Sequence, residues 1–198
     1  MISLADLDPD PLRQFQRWYD EAVRAGVPEP GAMTLATSSP DGRPSARLVL
    51  YKGLSGGGFL FFTNYRSRKA RDLFENPQGA LVFYWAVLSR QVRVEGRVET
   101  TSAEESSAYF QTRPRESQLG AWASPQGEVL EGREDLERRL SEVRAAFEGR
   151  EVRCPSFWGG FRLIPDQLEF WRARESRLHD RFLYLREERG WRLVRLAP

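Results

Sequence analysis

The chain has 198 residues, of which 40% are hydrophobic and 12% aromatic, a composition typical of a folded globular protein. Its 30 basic and 28 acidic residues nearly balance, so the overall charge does not indicate a nucleic-acid-binding protein. The single cysteine, Cys154, excludes an internal disulfide and indicates a reducing compartment, and one cysteine with one histidine is too few for a Cys/His metal site.

The N-terminal ten residues lack the basic region and apolar region of a targeting signal. No apolar run elsewhere is long enough to span a bilayer, so we expect a cytoplasmic protein with no membrane partner. At this length we expect a single domain over residues 1–198, with residues 1–28 as an N-terminal helical segment.

The first half of the chain predicts one helix followed by strands. An amphipathic helix begins at Asp10 and Pro11 and ends before Gly26 and Pro28. Strands follow at residues 33–38, 45–51 and 59–63, a short helix at 67–75, and strands at 80–87 and 91–101. The turn at Asp41-Gly42 favours a hairpin between the first two strands, because this dipeptide adopts the positive φ angles of a tight turn.

The second half predicts two helices and then strands. Ser102 and Glu105 form a capping box that opens a helix towards Pro114, and residues 133–148 form a second, highly charged helix. The remaining predicted strands are residues 160–164, 167–172, 181–186 and 191–196. Seven or eight short strands with few helices favour a mainly β fold, a small closed or nearly closed barrel with peripheral helices.

Two clusters of candidate site residues that contain cations lie in the first half of the chain. Residues 47–52 form a strand with a cation at each end, and residues 63–69 place hydroxyls and cations where a strand meets a helix. Backbone N–H groups at a helix N-terminus favour phosphate, although an ordinary solvated helix start explains the second cluster equally well. Lys52 and Lys69, one in each cluster, are the only two lysines among the 30 basic residues.

A third cluster lies near Pro114. Tyr109 and Arg113 are four residues apart and share a helix face, and Ser117 follows closely. A phenol, a guanidinium and a hydroxyl suit an anionic group, so two phosphate-capable clusters indicate two phosphorylated ligands or one ligand with two ends. No nucleophile is paired with a base and no acidic cluster suits Mg²⁺, so a cofactor is expected to supply any difficult chemistry.

The only histidine, His179, lies between two arginines. If residues 177–182 are extended, Arg177, His179 and Arg181 share one face, and the opposite face holds Leu178, Asp180 and Phe182. Two nearby cations are expected to lower the imidazole pKa, leaving it neutral and able to form hydrogen bonds. A solvated surface histidine is the alternative interpretation.

Taken together, these motifs resemble the pyridoxamine 5'-phosphate oxidase family over residues 8–198. The residues that carry the resemblance are 47–52, 62–64, 67–69, 90–92, 109–122, 155–160, 177–182 and 195–198. The resemblance implies an FMN-binding split β-barrel that forms a homodimer with FMN at the subunit interface. It also implies oxidation of pyridoxamine or pyridoxine 5'-phosphate to pyridoxal 5'-phosphate, with O₂ reduced to H₂O₂.

The resemblance also implies site residues. The positions that match the family's FMN contacts are Arg47, Leu48, Val49, Leu50, Tyr51, Lys52, Phe62, Thr63, Arg68, Lys69, Gln91, Gln126, Gly127, Trp171 and Arg181. Those that match its substrate contacts are Lys52, Tyr109, Arg113, Ser117, Arg177, Leu178 and His179. Of these, Arg177 and His179 match the catalytic positions over the pyridine ring, where we expect them to orient the substrate against the flavin for hydride transfer.

The chain departs from the family pattern in two places. No Arg-Arg-Glu-Tyr type stretch precedes the first helix, and Gly127 stands where a serine is common. Three alternatives remain open: a related flavin oxidase of another aromatic heterocycle, a non-catalytic flavin or pyridoxal-phosphate carrier, and a nucleic-acid-binding module. The complete phosphate set of Lys52, Tyr109, Arg113 and Ser117 favours the B6 phosphate ester.

Overall fold

A single antiparallel sheet dominates the computed structural model, which describes residues 4–198. Its nine strands are β1 Ala32–Ser38, β2 Pro44–Leu50, β3 Leu54–Ser55, β4 Gly58–Asn64, β5 Gln78–Trp85, β6 Arg90–Thr100, β7 Trp158–Arg172, β8 Asp180–Glu187 and β9 Gly190–Arg195. The helices are α1 Pro11–Arg24, α2 Arg68–Glu75, α3 Ala103–Thr112, α4 Arg115–Ala123 and α5 Arg133–Ala146. The predicted mainly β fold with peripheral helices is confirmed.

The sheet follows an open path in the order β2-β1-β5-β6-β7-β4-β3, with β8 and β9 added beside β7. The long strand β7 joins its two parts, because one half pairs with β4 and the other with β8. At the middle of β7 the register with β6 shifts between Glu95 and Gly96, where a Cβ on Gly96 would lie 2.0 Å from the Ile164 oxygen. This bulge bends the sheet into a barrel that stays split, since no ladder joins β2 to β3 or β4 in the described chain.

Helix α1 closes one opening of the barrel with aromatic side chains. The Asp10 carboxylate accepts a hydrogen bond from the Leu12 N–H at 2.8 Å and caps the helix, and Pro11 occupies its first turn. Phe15 is fully buried, with its ring centroid 4.7 Å from that of Phe59 and 4.9 Å from that of Phe83. Burying such a side chain contributes about 2–3 kcal/mol, so the helix is held by packing.

A second, smaller core lies outside the barrel, where α3, α4 and α5 meet the start of β7. Its buried members are Phe110, Leu119, Val152 and Trp158. The Ser102 hydroxyl accepts from the Glu105 N–H at 3.1 Å, which confirms the predicted start of α3. This packing holds α3 and α4 beside β4 and so forms one wall of the site described below.

The structure corrects several predicted elements. Helix α4 was not predicted, since it follows Pro114 directly and carries no strong apolar period. The two strands predicted at 160–164 and 167–172 are one strand, β7, and the end of the strand predicted at 80–87 is the helical turn Ala86–Leu88. Within residues 4–198 no helix is both long and apolar enough to cross a membrane.

Candidate functional site

A cavity of about 750 Å³ opens between strands β2 and β4 on one side and helices α3 and α4 on the other. Twelve of the residues matched to the family's ligand contacts line it: Arg47, Leu48, Val49, Leu50, Lys52, Phe62, Thr63, Lys69, Tyr109, Arg113, Ser117 and Gln126. Six lining residues were not among these matched positions: Asn64, Pro114, Gly120, Ala121, Ser124 and Trp158. Three of these lie on or just after the unpredicted helix α4, and Pro114 directly precedes it.

Lys69 is the centre of a polar cluster at one end of the cavity. Its Nζ donates to the Ser67 Oγ at 3.1 Å, to the Thr63 Oγ1 at 3.2 Å and to the Gln126 Oε1 at 3.2 Å. Burial, with a smaller contribution from the positive charge of Arg47, lowers the pKa of Lys69 to about 8. The three acceptors in the described structure are neutral oxygens and none is a carboxylate. A bound anion would therefore stabilise this ammonium.

Arg47 reaches the same end from strand β2. Its Nη1 donates to the Thr37 Oγ1 at 2.8 Å and to the Leu35 carbonyl at 3.2 Å. Asp72 lies 4.0 Å from its Nη2 and accepts a hydrogen bond from Thr37 at 2.7 Å. Burial lowers the pKa of Arg47, and the nearby Asp72 carboxylate opposes that shift. The guanidinium is thus held in one orientation before any ligand binds.

Arg113 marks the other end of the cavity. Its guanidinium carbon lies 4.8 Å from the centroid of the Trp158 ring and 5.4 Å from that of Phe110, and burial lowers its pKa. Its Nη1 is buried and has no hydrogen-bond partner in residues 4–198. Because a buried donor without a partner is costly, this nitrogen is a favourable place for an anionic oxygen.

Aromatic rings line the space beside Arg113. The rings of Phe62 and Tyr109 stack with centroids 3.9 Å apart, and that of Trp158 continues the stack 5.5 Å from Phe62. The Lys52 ammonium lies 6.0 Å from the Tyr109 ring centroid, and Ser117 lies in the first turn of α4. The cavity therefore has a positive group at each end with apolar walls between, a shape suited to ligands that carry both a ring and a phosphate.

Nine of the matched positions do not line the cavity, and three of these adjoin lining residues in the sequence. The Tyr51 side chain is buried in the barrel core, with its ring 5.3 Å from that of Phe15, and burial raises its pKa. Strand alternation explains this, since the preceding Leu50 faces outwards. Arg68 and Gly127 are exposed beside Lys69 and Gln126, respectively.

A second group of matched positions lies elsewhere on the sheet. Gln91, Trp171 and Arg181 are register partners across β6, β7 and β8, and all three are half-buried outside the core. The Arg181 guanidinium forms two hydrogen bonds to the buried Glu169 carboxylate, at 2.7 and 3.1 Å. None of these residues lines the cavity of their own chain.

The histidine lies in a loop between β7 and β8. Arg177 and Ser176 adopt left-handed φ angles of 59° and 54° in a helical turn, and β8 begins only at Asp180. The expectation of one extended face from Arg177 to Arg181 is therefore wrong, and the Leu178 side chain is 68% exposed. Consecutive left-handed residues other than glycine are uncommon and concentrate at functional sites.

No group of three or more His, Cys, Asp or Glu side chains in residues 4–198 is arranged to hold a metal ion.

A family model described as pyridoxamine 5'-phosphate oxidase matches residues 19–147. A second model, described as the pyridoxine 5'-phosphate oxidase C-terminal dimerisation region, matches residues 158–198.

Curated relatives match almost the whole chain. A protein of Rubrobacter xylanophilus named pyridoxine/pyridoxamine 5'-phosphate oxidase is 63% identical over 96% of this chain and 88% of its own length. A protein of Coxiella burnetii with the same name is 58% identical over 98% of each chain.

Two solved structures share the fold. PhzG from Burkholderia lata, in complex with tetrahydrophenazine-1-carboxylic acid, has a TM-score of 0.93 at 30% identity and covers 100% of this chain and 98% of its own. An FMN-binding protein related to pyridoxamine 5'-phosphate oxidase from Nostoc punctiforme has a TM-score of 0.75 at 19% identity, covering 93% and 97%. At that identity the second likeness supports the split-barrel fold alone.

Proposed function

The chain belongs to the pyridoxamine 5'-phosphate oxidase family, and from that premise we propose that it oxidises pyridoxamine and pyridoxine 5'-phosphates to pyridoxal 5'-phosphate. FMN is the proposed cofactor, and O₂ the proposed electron acceptor. The observation that carries the proposal is a cavity with cations at both ends and aromatic walls between them. Two phosphate sites suit two phosphorylated ligands, the cofactor and the substrate.

The donors around Lys69 fit the phosphate of FMN. They comprise an ammonium, the Arg47 guanidinium, the Thr63 hydroxyl and the Gln126 amide, all lining one end of the cavity. Arg68 lies at the N-terminus of α2, where the helix dipole adds to the attraction for an anion. When bound, FMN accepts the two electrons lost by the substrate's C4' carbon and passes them to O₂, which yields H₂O₂.

The donors around Arg113 fit the phosphate of the substrate. Lys52, Tyr109 and Ser117 line the same end of the cavity, and the buried Arg113 Nη1 has no hydrogen-bond partner among the described residues. A phosphate oxygen at this nitrogen would satisfy the unpaired donor and would hold the substrate ring in the aromatic part of the cavity.

We infer that a second copy of the chain completes the site. The matched dimerisation region contains Trp171, Arg177, His179 and Arg181, none of which lines the cavity of its own chain. Exposed apolar side chains are available for an interface, among them Leu48, 72% exposed on β2, and Tyr84, 60% exposed on β5. In a two-fold dimer each cavity receives the histidine loop of the partner, so Arg177 and His179 can orient the substrate ring.

The test is a paired measurement on the purified protein. Flavin absorbance reports FMN, and O₂ uptake is recorded with pyridoxine 5'-phosphate, pyridoxamine 5'-phosphate and unphosphorylated pyridoxine. The proposal predicts O₂ uptake and H₂O₂ formation with the two esters, at much higher kcat/KM than with pyridoxine. Bound FMN without O₂ uptake would indicate a carrier, and equal activity on pyridoxine would refute the phosphate site at Arg113.

The structural likeness to PhzG favours a second candidate, an oxidase of another aromatic heterocycle. PhzG is seen with tetrahydrophenazine-1-carboxylic acid, a ligand without a phosphate. The unpaired Arg113 donor and the two lysines of the cavity favour the phosphate ester here. Comparing kcat/KM for that acid and for pyridoxine 5'-phosphate separates the two functions.

A further inference from the structure

The hydrogen bond at His179 defines where its ring proton lies. The Nδ1 atom is 3.1 Å from the backbone nitrogen of Arg174, which carries a hydrogen and can only donate. The Nδ1 atom must therefore accept and carries no proton. In the neutral imidazole the proton is then on Nε2, the nitrogen on the opposite side of the ring.

An ion pair holds the backbone of Arg174 against His179. The Arg174 Nε donates to the Asp180 Oδ2 at 2.7 Å, and the buried Asp180 carboxylate also accepts from the Arg195 Nη1 at 3.1 Å. Arg174 and Asp180 lie at the two ends of the loop, so their pairing joins those ends. The Trp171 ring also packs against the imidazole, with centroids 4.7 Å apart, and limits its rotation.

The loop itself is shaped for this contact. The left-handed residues Ser176 and Arg177 reverse the chain, which brings His179 back to the N–H of Arg174. Because such angles are unfavourable for side chains other than glycine, the surrounding contacts must hold them. The Ala173 N–H donates a hydrogen bond to the Ser89 carbonyl at 3.0 Å, and the ion pair between Arg174 and Asp180 joins the two ends of the loop. Both contacts help to stabilise these backbone angles.

We propose that Arg174 and Asp180 are positioning residues that hold His179 as the Nε2–H tautomer, so that it donates a hydrogen bond to the substrate. In this tautomer the free side of the imidazole is a donor, which meets an oxygen substituent of the substrate ring and takes no proton from it. This role rests on the proposed function and specifies what His179 does within it.

The tautomer can be read directly because the sequence contains one histidine. Holoenzyme labelled with ¹⁵N-histidine is examined by long-range ¹H–¹⁵N correlation NMR at a pH where the imidazole is neutral. The expected spectrum shows a protonated Nε2, coupled to both ring carbon-bound hydrogens, and an unprotonated Nδ1. A protonated Nδ1 in the neutral ring would overturn the proposal.

Product binding tests the donor role. Pyridoxal 5'-phosphate added to the labelled holoenzyme is expected to shift the Nε2 resonance while Nδ1 stays unprotonated. A spectrum that does not change at saturating pyridoxal 5'-phosphate would show that Nε2 does not meet the ligand, and would overturn the donor role.

Variants at Arg174 test the positioning role. Arg174→Ala keeps the backbone N–H but removes the ion pair, so we expect mixed tautomers and a fall in kcat/KM on the order of tenfold at unchanged FMN affinity. Arg174→Lys should restore part of the Nε2–H population and part of the lost kcat/KM. Arg192→Ala is the matched control, because the Arg192 Nε makes an equally short 2.7 Å bond to the Glu187 carboxylate away from the loop.

The result that contradicts the positioning role is a pure Nε2–H tautomer with full kcat/KM in Arg174→Ala. A loss of kcat/KM without any change of tautomer would also contradict it, since it would indicate a merely structural effect. Should the protein oxidise neither phosphate ester, the proposed function fails, while the tautomer and its dependence on Arg174 still decide the positioning role.

Discussion

Raising the pH from 7 to 9 is predicted to weaken FMN binding through one residue, Lys69. Burial, with a contribution from Arg47, lowers the pKa of Lys69 in the free protein to about 8. About nine-tenths of Lys69 is therefore charged at pH 7 and about one-tenth at pH 9. Arg47, at the same end of the cavity, stays charged throughout, and a phosphate monoester with a second pKa of about 6 remains dianionic.

The direction of this pH effect follows from the linkage between proton binding at Lys69 and phosphate binding. An anion favours the charged ammonium, so bound phosphate raises the pKa of Lys69 above its free value. Binding is thus strongest below pH 8 and weakens as the pH rises through the free pKa. If only the charged form binds the phosphate, the dissociation constant rises about tenfold between pH 7 and 9, equivalent to about 1.4 kcal/mol.

The assay is a titration of the flavin-free protein with FMN, followed by flavin fluorescence at several pH values. Lys69→Arg is the matched control, because its guanidinium stays charged over the whole range and its binding curve should be flat. If the FMN dissociation constant of the wild-type protein is as independent of pH as that of Lys69→Arg, the reasoning from burial at Lys69 is refuted.

Three further outcomes are expected. Arg113→Ala should raise the KM for pyridoxine 5'-phosphate about 10- to 150-fold in steady-state assays, by loss of charge-assisted hydrogen bonds of about 1.5–3 kcal/mol. An equal rise for unphosphorylated pyridoxine would count against the assigned phosphate contact. Gly96→Ala should lower the free energy of unfolding in urea by about 1–3 kcal/mol, because its Cβ would meet the Ile164 oxygen at 2.0 Å. The control Gly120→Ala, whose Cβ meets nothing within 4 Å, should lose no stability. Tyr84→Asp should increase the monomer fraction in sedimentation at micromolar concentration by burying an unpaired charge, and an unchanged distribution would place the interface elsewhere.

Much of the fold could be predicted because the residues that are buried recur along each strand or helix at the regular spacing of that element. In β6, Val92 and Val94 are fully buried, and Arg93 between them faces outwards, the alternation of a half-buried strand. In α1, Phe15 and Trp18 recur at helical spacing and fill the barrel opening. These patterns depend only on which side of an element meets the core.

The site was less predictable because its geometry depends on contacts between residues that do not recur at a regular spacing in the sequence. The left-handed turn at Arg177 is imposed by the surrounding loop contacts, so strand alternation failed there. Helix α4 gave no apolar period, although it supplies Ser117 to the cavity. The separation of His179 from the cavity of its own chain could not be inferred from the spacing of residues, because spacing along a chain does not show which distant side chains meet.

The most direct test of the account is a hybrid dimer. Chains carrying Arg113→Ala and His179→Ala are co-expressed with different tags, and the hybrid is purified through both tags and assayed for pyridoxal 5'-phosphate formation. If each cavity uses the partner's histidine loop, one of the two sites in the hybrid is intact, and kcat should be about half that of the wild type. Activity no higher than that of the two parent variants would contradict a site shared between subunits.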